Sequence, residues 1–218
     1  ARNALQQTLG TLANASNDIK RFNASILSKP DKKTPSGVRS SLAQWSRQLT
    51  RTHAIMALHA LGNESPSRST MAEGTTQLAS LLINGVAITP TENVNVVSET
   101  AKMPVTISNS HPYPVKVKVS SLTDSTQIVT SRFDTVEVPA HGEAQVAFTI
   151  RVVASGTANA TINLFDRNGV AFGTAQVTHI TSTLQISDKS GFIIIGFAVL
   201  LGIVGLWRQF NRKKDPDE

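Results

Sequence analysis

Five histidines are the obvious candidates for proton transfer or metal binding in this 218-residue chain: His53, His59, His111, His141 and His179. His53 and His59 stand six apart, on different faces of any helix that carries them, so one metal cannot take both. His111 and His141 fall in turn-like stretches, where a solvated ring is expected. His179 falls in a strand-like run. The acids are equally dispersed. Asp134 and Glu137 are three apart on a strand and face opposite sides, and Asp166 opens a turn. No carboxylate pair is spaced for acid-base work, and no HExxH, GxSxG or glycine-rich phosphate loop occurs. With no cysteine, the chain has no disulfide, no thiol nucleophile and no thiolate metal site. The sequence therefore predicts no catalytic, cofactor-binding or metal-binding residues.

The elements around these residues come in two kinds. From Val86 onward apolar residues recur with period two. Val115, Val117 and Val119 alternate with Lys116 and Lys118, and Val146, Phe148, Ile150 and Val152 alternate with Ala147, Thr149 and Arg151. That pattern predicts half-buried antiparallel strands. Seven or eight strands are expected, drawn from the runs near 86–89, 94–98, 103–109, 114–121, 127–131, 134–138, 144–153, 157–165 and 170–181, one or two of which need not be strands. NSHPYP (109–114) and PAHG (139–142) mark turns, and Asn168-Gly169 marks a hairpin. So many short strands in about 100 residues point to an immunoglobulin-like sandwich. It lacks the disulfide and core Trp of antibody domains, since Trp45 and Trp207 lie outside it.

Before Val86 the period is helical. Leu5, Leu9, Leu12, Ile19, Phe22 and Ile26 make one stripe that Pro30 ends. After the polar loop KPDKKTPSG (29–37), Val38, Leu42, Trp45 and Leu49 make a second, with His53 and Met56 continuing it and Gly62 placed as a C-terminal cap. A third helix is expected from Thr70 to Ile83, with Thr70 and Glu73 as a capping box. Three narrow stripes make a small core, either a bundle of its own or, the preferred reading, the last helices of a larger domain.

The anchor is the plainest feature. Gly191 to Trp207 (GFIIIGFAVLLGIVGLW) has no charge over seventeen residues, the lower limit for crossing a bilayer. Lys189 flanks it on one side; Trp207, Arg208, Arg212, Lys213 and Lys214 close the other. The excess of cations after the span places the tail in the cytoplasm and the remainder outside. Such an orientation requires export, and residues 1–30 carry no export signal, so the sequence reads as a piece of a longer exported protein. The absence of cysteine suits a bacterial envelope. Glycosylation triplets at Asn14, Asn23, Asn63 and Asn159 would matter only in a eukaryotic host. The net charge of +6 is concentrated early: residues 1–70 hold ten basic residues (Arg2, Lys20, Arg21, Lys29, Lys32, Lys33, Arg39, Arg47, Arg51 and Arg68) against three acids. The plain reading is a solvated helical face; the other is contact with an anionic wall polymer or lipid headgroups. Nucleic acid is excluded by the extracytoplasmic placement and by the lack of interleaved aromatic and basic residues.

The order of SSLAQWSRQL (40–49), PVTISNSHPYPVKVKV (104–119), VEVPAHGEAQVAFTIRVVASGTANATINLFDRNGVAFGTAQVTHITST (136–183) and a single span with a basic tail resembles the C-terminal part of an uncharacterised actinobacterial envelope protein family. Its members are exported, anchored once and commonly encoded beside the lipid II flippase. The resemblance implies a role near cell-wall assembly and transfers no catalytic residue.

The expected organisation is a helical region at 1–85, a sandwich at 86–183, a juxtamembrane linker at 184–190, a transmembrane helix at 191–207 and a cytoplasmic tail at 208–218. The fold class is α+β: about three helices, an antiparallel immunoglobulin-like sandwich and a C-terminal span. The expected function is a non-enzymatic, membrane-anchored extracytoplasmic scaffold or interaction module of the bacterial envelope. Its partners would be the bilayer and an envelope protein or anionic wall polymer. A second reading makes the chain the C-terminal mount of a wall-glycan-acting enzyme whose catalytic domain lies upstream.

Overall fold

The computed structural model describes residues 2–62, 66–91, 93–184 and 189–210. Among them are four α-helices and nine strands, in two compact units, Ala1–Thr183 and Leu184–Glu218.

In the first unit three helices precede the strands: α1 (Arg2–Arg21), α2 (Ser36–Gly62) and α3 (Ser67–Asn84). The stripe in α1 does not stay α-helical to its end. After Arg21 the chain widens into a π-helical turn, Phe22–Ile26, which buries Phe22, Ser25 and Ile26. The widening lets this segment face the strands, and Leu27 forms a bridge with Val115. Helix α3 starts a turn earlier than the Thr70–Glu73 pair predicts. Pro66 stands at its N-cap without a side-chain cap, and the Pro66 carbonyl already accepts from the Ser69 and Thr70 amides at 3.0 and 3.3 Å. Of the α1 stripe, Leu12, Ile19, Phe22 and Ile26 are buried, whereas Leu5 and Leu9 are exposed.

Two sheets follow. One has the order β1-β3-β7-β5 and the other β2-β9-β8-β4-β6. The strands are β1 (Val86–Ile88), β2 (Val94–Val96), β3 (Thr100–Asn109), β4 (Val115–Thr123), β5 (Ile128–Thr130), β6 (Phe133–Val138), β7 (Gly142–Val152), β8 (Gly156–Phe165) and β9 (Ala171–Ser182). The core lies between the two inner faces. Met103, Val105 and Ile107 of β3 and Val146, Phe148, Ile150 and Val152 of β7 meet Val117 and Val119 of β4 and Ala160, Ile162 and Leu164 of β8, all buried. The architecture is an immunoglobulin-like sandwich.

One pairing departs from an all-antiparallel arrangement. β2 runs parallel to β9, with Val94 opposite Ile180. Strands β1 and β2 come from one stretch interrupted at Pro90. Proline cannot donate to a ladder, so the chain leaves the first sheet there and joins the edge of the second.

The second unit holds α4 (Lys189–Phe210), 22 residues long, a rise of about 33 Å at 1.5 Å per residue. Among the residues whose side chains are described, no helical stretch is long and apolar enough to cross a membrane; in α4 those residues are 195–207.

Candidate functional site

The densest constellation of polar and aromatic groups lies where the helices meet one end of the sandwich. Two latches hold this junction. The first is the β8–β9 hairpin. Gly169 takes a positive φ of 79°, which the tight turn needs and glycine adopts without strain. Asp166 closes the turn: its Oδ1 accepts from the Asn168 and Val170 amides at 2.9 and 3.0 Å. Its Oδ2 accepts from Arg21 Nε at 2.7 Å, and the Asp166 side chain is only 1% exposed. Burial alone would push this carboxyl up. The Arg21 guanidinium and the two turn amides outweigh burial and hold it below its ordinary 3.8. Arg21 Nη2 also donates to the Val170 and Ala171 carbonyls.

The hairpin grips the π-helical turn in return. Arg167 donates to the carbonyls of Leu27 and Ala24 at 2.7 and 2.6 Å, and Asn168 Nδ2 donates to Ser25 Oγ at 2.8 Å. Beside it, Ser28 N donates to the Pro114 carbonyl and Ser28 Oγ to Glu137.

The second latch is His111, in the turn between β3 and β4. The solvated ring expected there is not found: His111 is 7% exposed. Its Nε2 donates to the Leu82 carbonyl at 2.8 Å, near the end of α3 where helix carbonyls lack helical partners. The ring packs edge-on against Phe22 at 4.8 Å between centroids and lies 6.1 Å from Trp45, which in turn lies 5.3 Å from Tyr113. One ring thus contacts α1's continuation, α2 and α3. Asn109 sets the turn, its Nδ2 donating to the Tyr113 and Pro139 carbonyls and its Oδ1 accepting from His111 N. Burial pushes the imidazole below its ordinary 6.5, the bond to Leu82 opposes this and nearby His141 adds to it. Gly85 is required here for close approach. A Cβ on it would stand 2.4 Å from His111 Cε1 and 2.7 Å from Ser110 Oγ.

The remaining candidates are dispersed. His53 is buried in α2 and donates from Nε2 to the Leu12 carbonyl at 3.1 Å, tying α1 to α2. His141 is exposed at a φ of 46°. His179 is exposed on β9, its Nδ1 3.0 Å from Asn159 Oδ1. No group of three or more metal-ligating side chains occurs among the described residues. An open cavity of about 500 Å³ beside the junction is lined by Gln77, Ser80, Leu81, Asn84, Gly85 and Ser110, none of them charged. The junction thus ties the helical layer to one end of the sandwich through the hairpin and the His111 turn.

The residues expected to flank the anchor are only partly described. Lys189 and Arg208 lie within α4, and Trp207 is exposed near its end. Arg212, Lys213 and Lys214 lie outside the described residues. The expected basic surface of residues 1–70 is reduced by one member, because Arg21 is spent on Asp166. Sequence reasoning missed Arg21, Arg167 and Asn168 as junction residues. The DRNG hairpin was visible, but its partners are carbonyls about 140 positions away.

With this geometry in place, comparison puts the chain in a family: its model matches residues 1–218, and the chain belongs to the family of unknown function DUF6049. Comparison with the curated proteins finds no match. Among solved structures, the chain is similar to the Caenorhabditis elegans MSP family member WR4, at 8% identity and a TM-score of 0.34, over 46% of this chain and 99% of that one. It is also similar to a CARDB domain from Pyrococcus furiosus, at 18% identity and a TM-score of 0.35, over 46% and 94%. A PapD-like domain of human CEP192 is similar at 11% identity and a TM-score of 0.32, over 47% and 86%.

Proposed function

We propose that this chain is a membrane-anchored, extracytoplasmic interaction module of the bacterial cell envelope, without catalytic activity of its own and serving wall assembly. The observation that carries the reading is α4: it contains seventeen consecutive uncharged residues, Gly191 to Trp207, closed by Arg208, Arg212, Lys213 and Lys214. A helix apolar on every side is stable in lipid, where its backbone groups are bonded internally, and its cations belong at the cytoplasmic interface. The sandwich then serves as a rigid mount. The helices sit at the hairpin end of β9, while β9 runs twelve residues to Ser182, about 40 Å at 3.3–3.4 Å per residue. The mount therefore holds the helices well away from Thr183, where this unit ends.

Flotation with membranes and protease protection test the reading. The full chain should float with the membrane fraction after a carbonate wash. In intact cells, added protease should remove the β-domain and spare a C-terminal tag. A chain recovered soluble without detergent, or a tag cleaved while the β-domain is protected, would overturn it.

A further inference from the structure

We infer that the outer face of α2 is a docking surface for a second protein, one that presents carboxylates beside an apolar patch. The inference rests on the reading of this chain as an interaction module but not on α4 entering a bilayer.

Helix α2 is unevenly used. Of its 27 residues, His53 and Ala60 are buried. The face carrying them also carries Leu42, Trp45, Leu49 and Met56, and this side meets α1, α3 and the His111 turn. Half a revolution round the helix lie Arg47, Arg51, Ile55 and Leu58, at spacings of four, four and three, which place them on one face. Leu58 is 73% exposed and Ile55 49%. Leu61, three residues beyond Leu58, is 43% exposed, so aliphatic side chains stand in water on the C-terminal half of a face whose N-terminal half carries two guanidinium groups.

The charge on this face is of one sign. Helix α2 contains no Asp or Glu but three arginines, Arg39, Arg47 and Arg51, of which Arg47 and Arg51 lie on this face. No ion pair among the described residues involves Arg39, Arg47 or Arg51. Guanidinium groups pair bidentately with carboxylates, so the occupant must be acidic. It must also carry apolar groups beside its carboxylates, which sets a protein surface apart from a simple polyanion.

Two other occupants fit less well. A second copy presenting the same face would bring arginines against arginines, which is repulsive. A lipid surface is met by helices with aromatic and abundant aliphatic residues on the buried side. Here the face offers three large aliphatics, Ile55, Leu58 and Leu61, beside two arginines, and Trp45, the one aromatic of α2, is turned inward against His111 and Tyr113.

The test places a photo-crosslinking amino acid at Leu58 of the full chain in its native cells, with a matched site at Val177, which is 61% exposed on β9. Both positions are exposed, so neither replacement disturbs the fold. The crosslinked peptide is sequenced by mass spectrometry. The expected product is one protein, joined through a segment with at least two carboxylates near apolar residues, absent at Val177. Its yield should fall at least fivefold in the Arg47→Glu/Arg51→Glu chain. The same segment, synthesised, should bind the purified chain in detergent and lose at least tenfold in affinity to that variant. Crosslinks to lipid, to a second copy of the chain or to a segment without carboxylates would overturn the inference, as would a yield at Leu58 no greater than at Val177. Fractionation of the same cells separates the two readings. A soluble chain that still crosslinks at Leu58 removes the anchor and leaves this surface standing, and a membrane-bound chain without the crosslink does the reverse.

Discussion

Strand β7 and helix α2 face opposite situations. β7 buries Val146, Phe148, Ile150 and Val152 and exposes Ala147 and Arg151 between them and Glu143 and Gln145 before them. Helix α2 is more than twice as long, yet buries two residues and leaves Leu58 in solvent. The sandwich supplies its own cover, because each sheet closes the inner face of the other. The helical layer has cover on one side only, from the sandwich end and from its own neighbours. The difference teaches where stability and where recognition reside. The sandwich is closed on itself, whereas the helices are held in place by the hairpin and by His111 and keep an unfilled face.

The comparison breaks most sharply at the sandwich core. Phe148→Ala removes a large ring that is 1% exposed and should cost about 3–5 kcal/mol. Thermal melts followed by circular dichroism should show the whole first unit unfolding earlier. Loss of helical signal alone would contradict the dependence of the helices on the sandwich.

Asp166→Ala tests the latch. It strands Arg21 and two turn amides and should cost about 3 kcal/mol, the scale for removing one partner of a buried pair. Hydrogen exchange should accelerate in α1 and the π-helical turn while β3 and β7 keep their protection. Uniform acceleration would mean that the two regions are one cooperative body.

A milder probe is pH. The His111 value is lowered in the folded state, so its contribution is complete above the ordinary 6.5 and is lost as pH falls through the folded value. Asp166, also lowered, keeps its contribution until pH falls below the ordinary 3.8. Fluorescence of Trp45, which packs on His111, should therefore respond to acid before the Arg21–Asp166 latch opens. His111→Gln should abolish that first response.

The smallest effect belongs to the open face. Leu58→Ser should change stability by no more than about 0.5 kcal/mol, as for surface substitutions away from structural features. A larger loss in the denaturant midpoint would show that Leu58 has cover within the chain.

The strands were legible because burial between two sheets imposes period two; seven or eight were expected, and every one of the nine candidate runs has a strand in it. The partners of the short strands were not. Nothing in Val94-Asn95-Val96 says that it runs parallel to β9, since three residues carry a face but no direction. The Asn168-Gly169 hairpin was legible through its backbone demand. Its use as a latch was not, because Arg167 bonds carbonyl oxygens that every residue type presents equally. The extent of the apolar stripe in α1 was legible, but not that Leu5 and Leu9 stay exposed while Ile19 and Phe22 are buried. That depends on how far the sandwich and α3 reach along it.

The residues of this chain determine by themselves what is local: strand period, helical stripe, turn chemistry, and a charge-free stretch of seventeen residues closed by cations. Each of these follows from short-range sterics or from summed solvation, which act at a residue whatever lies far off in the chain. Tertiary structure alone decided that His111 is buried, that Arg21 is tied to Asp166 and that Leu58 faces water. Those outcomes depend on which distant surface covers a side chain, and burial and pairing are properties of two segments brought together.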